Sequence, residues 1–201
     1  MKKVICRFLI FLVFPSLSFA QDYYAQGEFK IPFGKNHQTE TVTRAIDGDT
    51  FKLATGQTLK LAAVNAPEIH NTTKLHDEAE RFGKEIWAYR NVGGDAHKVV
   101  QRFLAMAKNQ IRWETGVETF DESGNLLAYV YIPVDHLEEG VQPDETVFFA
   151  RNGGYEIFLN AYLVNMGFAE VTSKEPNGKY QEVLLKLEQE AKEKKLGIWA
   201  S

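Results

Sequence analysis

Apolar and polar positions alternate along Thr41–Ile46, Phe51–Leu53 and Leu59–Val64, with turn residues Asp47-Gly48-Asp49 and Thr55-Gly56-Gln57 between them. That pattern predicts three short strands in immediate succession, with Pro67 stopping the third. A helical period follows in two pieces. Glu78–Tyr89 is the first, Asn91-Val92-Gly93-Gly94 interrupts it, and Asp95 stands as the N-cap of the second. In that second piece Val99, Val100, Phe103, Leu104 and Ala107 fall on one face, which predicts its burial. Ile111–Thr119 and Leu126–Ile132 read as strands around the turn Asp121–Gly124. Val147–Ala150 and Tyr155–Phe158 flank Asn152-Gly153-Gly154 as a hairpin. Leu159–Met166 is a short helix ended by Gly167. A last helix, Tyr180–Lys194, buries Tyr180, Val183, Leu184, Leu187 and Ala191, with Glu182–Lys186 and Glu190–Lys194 pairs outside.

Five short strands with a helix between the third and fourth are the layout of an OB barrel, so the fold class is α+β, mainly β. The 201 residues suit one domain, and a 44% apolar share is enough for a packed core. Two stretches stand outside the pattern as insertions, Trp87–Gly94 and Pro133–Asn152. Trp87, Trp113 and Trp199 are expected in the core, with a base-stacking role for one of them as the alternative.

The first twenty residues change the picture of where the chain works. Lys2, Lys3 and Arg7 precede the apolar run Phe8–Phe14, and Ser18-Phe19-Ala20 supplies small residues for cleavage. This predicts a signal peptide over residues 1–20, export to the periplasm or beyond, and no membrane anchor afterwards. Residues 21–39 are then an extension with one short strand at Glu28–Pro32, and the domain runs over residues 40–201. Cleavage removes Cys6, the only cysteine, and leaves 20 basic against 27 acidic residues, a net of −7. Such a surface supplies no global attraction for nucleic acid. Lys174, Lys179 and Lys186 could make a local basic patch, or only a solvated helix face.

Candidate chemistry lies at the end of the meander. Asp49 leaves the first strand and Glu68 closes the third, so both reach one rim of a barrel. With the amide oxygen of Asn65 they offer a hard-oxygen site of the kind Ca²⁺ accepts, and a glutamate there can activate a water. An ordinary Asp-Gly-Asp turn beside a surface glutamate is the plainer reading. His70 and His76, near Asp77, Glu78 and Glu80, form a weaker candidate for a transition metal.

Ala45-Ile46-Asp47-Gly48-Asp49-Thr50 and Leu61-Ala62-Ala63-Val64-Asn65-Ala66-Pro67-Glu68 resemble the signature of the thermonuclease family. Asp121–Val130, Asn160–Ala169 and Ala191–Trp199 resemble its later strand, second helix and closing segment, in order, from Glu40 to the end. The resemblance implies a five-strand OB barrel that cleaves DNA and RNA with Ca²⁺. It implies a metal held by Asp49, by Asn65 where the family has aspartate, and by the carbonyl of Ala66 where it has threonine, beside Glu68 as general base. The family's two arginines fall on Lys60 and Asn125. Lys60 lacks the two-pronged guanidinium and Asn125 carries no charge. Glu122 and Ser123 stand where a lysine and a tyrosine hold phosphates, and two later tyrosines are missing around Thr172–Lys174. Losing one such donor typically costs about 10²–10³ in rate. The expectation is weak Ca²⁺ binding and impaired or lost nuclease activity. A nuclease with a modified site, a non-catalytic binding module and a scaffold that works through its insertions remain the alternatives.

Overall fold

The computed structural model describes residues 37–137, 146–151, 153–172 and 178–200. The expectations for residues 1–20, for Glu28–Pro32, for Lys174 and for most of the loop 133–144 lie outside these. Strands β1 (Gln38–Ala45), β2 (Thr50–Leu53) and β3 (Thr58–Leu61) form the antiparallel meander. β4 (Val64–Asn65) follows, then helices α1 (Thr73–Arg81) and α2 (Ile86–Met106). β5 (Gln110–Phe120) returns beside β1, and β6 (Leu126–Val134) pairs with β5 and, in parallel, with β3. That last pairing closes a five-strand barrel, β3-β2-β1-β5-β6. The hairpin of β7 (Phe148–Arg151) and β8 (Gly154–Phe158) adds to the free side of β6. Helix α3 (Leu159–Asn165), strand β9 (Glu170–Val171) and helix α4 (Gln181–Glu193) complete the order.

Alternation does the work of closure. In β2 and β3 every second residue is buried, so Phe51, Leu53, Leu59 and Leu61 point inward with Val42 and Ile111. Full burial of a side chain such as Phe51 is worth about 1.5–3 kcal/mol. Asn160, wholly buried, ties β6 to the turn that follows β3. Its Oδ1 accepts from the Val130 amide at 3.0 Å and its Nδ2 donates to the Ala62 carbonyl at 2.9 Å. The five predicted barrel strands, the hairpin and the last two helices all form. Val183, Leu184, Leu187 and Ala191 are buried as expected, and Lys194 reaches Glu190 at 3.3 Å.

The helix after the meander differs from the sequence expectation. Asn91–Gly94 do not interrupt it: α2 runs through them, and the chain breaks instead at Phe82–Glu85, where Gly83 has φ +61°. Asp95 is therefore no N-cap, and its carboxylate takes Lys98 at 2.9 Å. Glu85 stands at the N-cap of α2 without a side-chain cap bond, whereas α1 is capped by Thr72, whose hydroxyl accepts from the Leu75 amide at 3.1 Å. Gly93 serves packing rather than a break. A Cβ there would stand 2.3 Å from the Pro67 carbonyl oxygen. Trp87 is also not in the core, being 62% exposed, whereas Trp113 is buried and Trp199 packs edge-on to Phe82.

Candidate active site

The turn after β1 is built by its own aspartates. Asp47 Oδ1 accepts the Asp49 amide at 3.0 Å, which bends the chain so that the Asp49 side chain turns inward. Asp49 is 1% exposed. Its Oδ2 accepts the Ala66 amide at 2.9 Å and its Oδ1 the Thr50 hydroxyl at 2.8 Å. The first of these bonds joins the Asp49 turn directly to the segment that carries Asn65, Ala66 and Glu68. Helix α2 presses the two together, since Ala96 lies so close that a Cβ on Gly48 would meet it at 2.9 Å. The sequence expectation that these segments share one rim matches the geometry.

Apart from Asp47, the charged groups on this rim face opposite charges. Lys60 Nζ stands 3.5 Å from Asp49 Oδ1. Lys74, on α1, donates to Glu68 Oε1 at 2.7 Å and lies 3.8 Å from Glu78. Asn65 is buried and turns its Nδ2 to Glu78 Oε1 at 2.8 Å, with Glu170 Oε1 at 3.5 Å beyond. Arg81 clamps Glu170 with both guanidinium nitrogens. Burial, followed by the charges of Asp49 and Glu68, pushes the Asp47 carboxyl up to about 7. Burial likewise raises Glu78. For Lys74, burial works against the charge, but Glu68, Asp49 and Glu78 outweigh it and raise the ammonium above its ordinary range.

Asn125 lies at the head of β6, one residue before the Leu126 that pairs with Leu59 beside Lys60. It is committed to a turn: its amide and Nδ2 both donate to Asp121, at 2.8 and 2.9 Å. These bonds, the amide of Ser123 and the charge of Lys60 hold the Asp121 carboxyl below its usual range, against a burial effect of the opposite sign. Lys60 thus stands between two aspartates. Asp47, Lys74 and Glu78 were missed as members of the site. Lys74 and Glu78 are spaced i,i+4, but with the helix start placed at Glu78 that signal had no helix to sit on. His76 is exposed and bonded to Asn71 at 2.6 Å. Among the described residues no three His, Cys, Asp or Glu side chains converge as a metal cage.

The oxygen donors of Asp49, Asn65, Ala66 and Glu68 fit a hard divalent cation in kind. They carry two negative charges, and both of these are shared with lysines.

The description of staphylococcal nuclease homologues matches residues 58–201. The chain belongs to that family. The nuclease homologues it resembles include the thermonuclease of Staphylococcus hyicus, 30% identical over 169 residues that cover 83% of this chain and 78% of the relative. Endonuclease YncB of Bacillus subtilis (strain 168) is 31% identical over 186 residues, 88% of this chain and 71% of the relative. The SPbeta prophage-derived endonuclease YokF of the same organism is 30% identical over 164 residues, and there the match covers 80% of this chain but only 43% of the relative. Barrel strands β3, β5 and β6 and the Glu68 segment lie inside the stretch matched by the family description, while β1, β2, Asp47 and Asp49 precede it.

Proposed function

We propose that this chain is a phosphodiester hydrolase of the staphylococcal nuclease type that acts slowly on single-stranded DNA or RNA. One observation supports the reading: the two side chains at the positions where the family has arginines are engaged by this chain's own carboxylates. Lys60 faces Asp49, and Asn125 is spent on Asp121. In the reaction Glu68 takes a proton from the attacking water as its oxygen bonds to phosphorus. The ester P–O bond breaks, and the departing alkoxide takes a proton from solvent. Asp49, Asn65, the Ala66 carbonyl and Glu68 would hold a Ca²⁺ ion, which supplies Lewis-acid stabilisation when bound. Lys60 contributes a single point charge, a poorer match to the developing phosphorane than a forked guanidinium.

Export belongs to the same proposal, on the strength of residues 1–20. N-terminal sequencing of the exported protein should begin at Gln21, and recovery of the intact chain from membranes would contradict it. The catalytic reading is tested by single-turnover cleavage of single-stranded DNA with Ca²⁺. Slow cleavage that disappears in Glu68→Gln supports it. Cleavage that Glu68→Gln leaves untouched, or none at all, favours a binding module on the same barrel.

A further inference from the structure

Helix α2 carries an exposed face that neither the barrel nor the site uses. Trp87, Arg90, Asn91, Gly94 and Lys98 follow one another at i, i+3, i+4, i+7 and i+11, so they form one stripe about 16 Å long. Trp87 is 62% exposed. Arg90 is exposed and has no hydrogen bond or ion pair among the described residues. Lys98 is held only by Asp95, in a pair with both partners largely in solvent. Such pairs are weak and exchange readily for a stronger anion. At the centre Gly94 leaves open space, with nothing within 4 Å of where a Cβ would be. The result is a groove of about 420 Å³ lined by Ile69, Arg90, Asn91, Gly94, Asp95 and Lys98.

The groove borders the candidate-site segment along the chain. Ile69, which lines it, directly follows Glu68 in the chain. The adjacent Gly93 lets α2 lie against the Pro67 carbonyl. Glycine costs a helix about 1 kcal/mol relative to alanine. Close packing accounts for Gly93, and no contact accounts for Gly94.

We propose that this face of α2 is a subsite for single-stranded nucleic acid, which stacks a base on Trp87, sets phosphates against Arg90 and Lys98, and leads the strand past Ile69 to Glu68. It rests on the nuclease reading for its direction. It also supplies the phosphate contacts that Lys60 and Asn125 do not. An aromatic ring interleaved with guanidinium and ammonium groups is the standard composition of a surface that grips single strands without reading sequence. A duplex would keep its bases from Trp87.

The test is fluorescence anisotropy with a labelled oligothymidylate of about twelve nucleotides, in chelator and low salt, so that no cleavage occurs. Trp87→Ala and Arg90→Ala should each weaken binding about tenfold, in line with the usual worth of one stacked base or one phosphate contact. Gly94→Leu should fill the groove and weaken binding similarly, while its melting temperature stays at or above the parent's, which separates occlusion from misfolding. Polyglutamate should not compete. Three variants that bind like the parent, undetectable binding by the parent, or polyglutamate competing as well as the oligonucleotide would each overturn the subsite. Binding is read in chelator, where nothing is cleaved, and cleavage is read separately with Ca²⁺, so failure of the groove and failure of the nuclease reading give different results.

Discussion

Two carboxylates, the half-buried Glu114 and the buried Asp47, show what the site lacks. Glu114, on β5, is surrounded by donors: Lys179 reaches both oxygens at 2.9 and 2.7 Å, Tyr131 donates at 3.0 Å, and Tyr180 and His37 lie beside them. Burial alone would raise its carboxyl, but the hydrogen bonds from His37, Lys179 and Tyr180 bring it down to about 2. Asp47 is more deeply buried, its described partner is one backbone amide and its neighbours are Asp49 and Glu68, so it rises to about 7. Glu114 is a finished structural ion. Asp47 belongs to a set of like charges that the fold crowds together and only partly neutralises. Crowded carboxylates of that kind mark functional sites more often than structural ones.

The largest effect that would break this contrast is at Glu114. Glu114→Gln should cost about 2–3 kcal/mol, since a charged acceptor of several donors becomes a neutral amide with a single acceptor oxygen. The folded carboxyl is below its unfolded value, so this contribution is present above about pH 4.5 and fades as pH falls toward 2. Denaturation midpoints across pH measure it. A flat difference between parent and variant down to pH 2 would contradict the assignment.

Asp47 has the opposite sign. Its folded carboxyl is raised from 3.8 to about 7, so ionising it costs the native state, and stability falls as pH rises through that window. Asp47→Asn keeps an acceptor for the Asp49 amide and removes the charge. It should be about 1–2 kcal/mol more stable than the parent at pH 8, with the gain vanishing toward pH 4. Equal stability at both pH values would mean that Asp47 is not strained by its neighbours.

Asn65→Asp has the smallest effect. It adds a charge to the donor set, and Ca²⁺ should bind about tenfold tighter by calorimetry. It also takes the Nδ2 donor from Glu78, so the metal-free protein should melt lower than the parent. Unchanged affinity would remove residue 65 from the metal set.

The barrel was legible because its evidence is local. Each strand alternates, and each turn carries its own glycine or aspartate. The convergence of Asp49 with Ala66 and Glu68 was legible from the hairpin between them. What escaped needed tertiary facts. Asn91-Val92-Gly93-Gly94 reads as a break, because nothing in the sequence says that Pro67 will lie against Gly93. Trp87 reads as core, because aromatic content does not reveal that its face of α2 meets no other element. Lys74 reads as a loop lysine until Thr72 is known to start α1 and point it at Glu68.

In the proposed function, cleavage is limited by missing phosphate donors and not by a broken fold or an absent base. This is tested most directly by comparing single-turnover rates of the parent with those of the double variant Lys60→Arg, Asn125→Arg on single-stranded DNA with Ca²⁺. The double variant should cleave about 10²-fold faster or more, by less than the product of the two single effects, and should lose that gain when Glu68→Gln is added. A parent that already cleaves as fast as the double variant would contradict it.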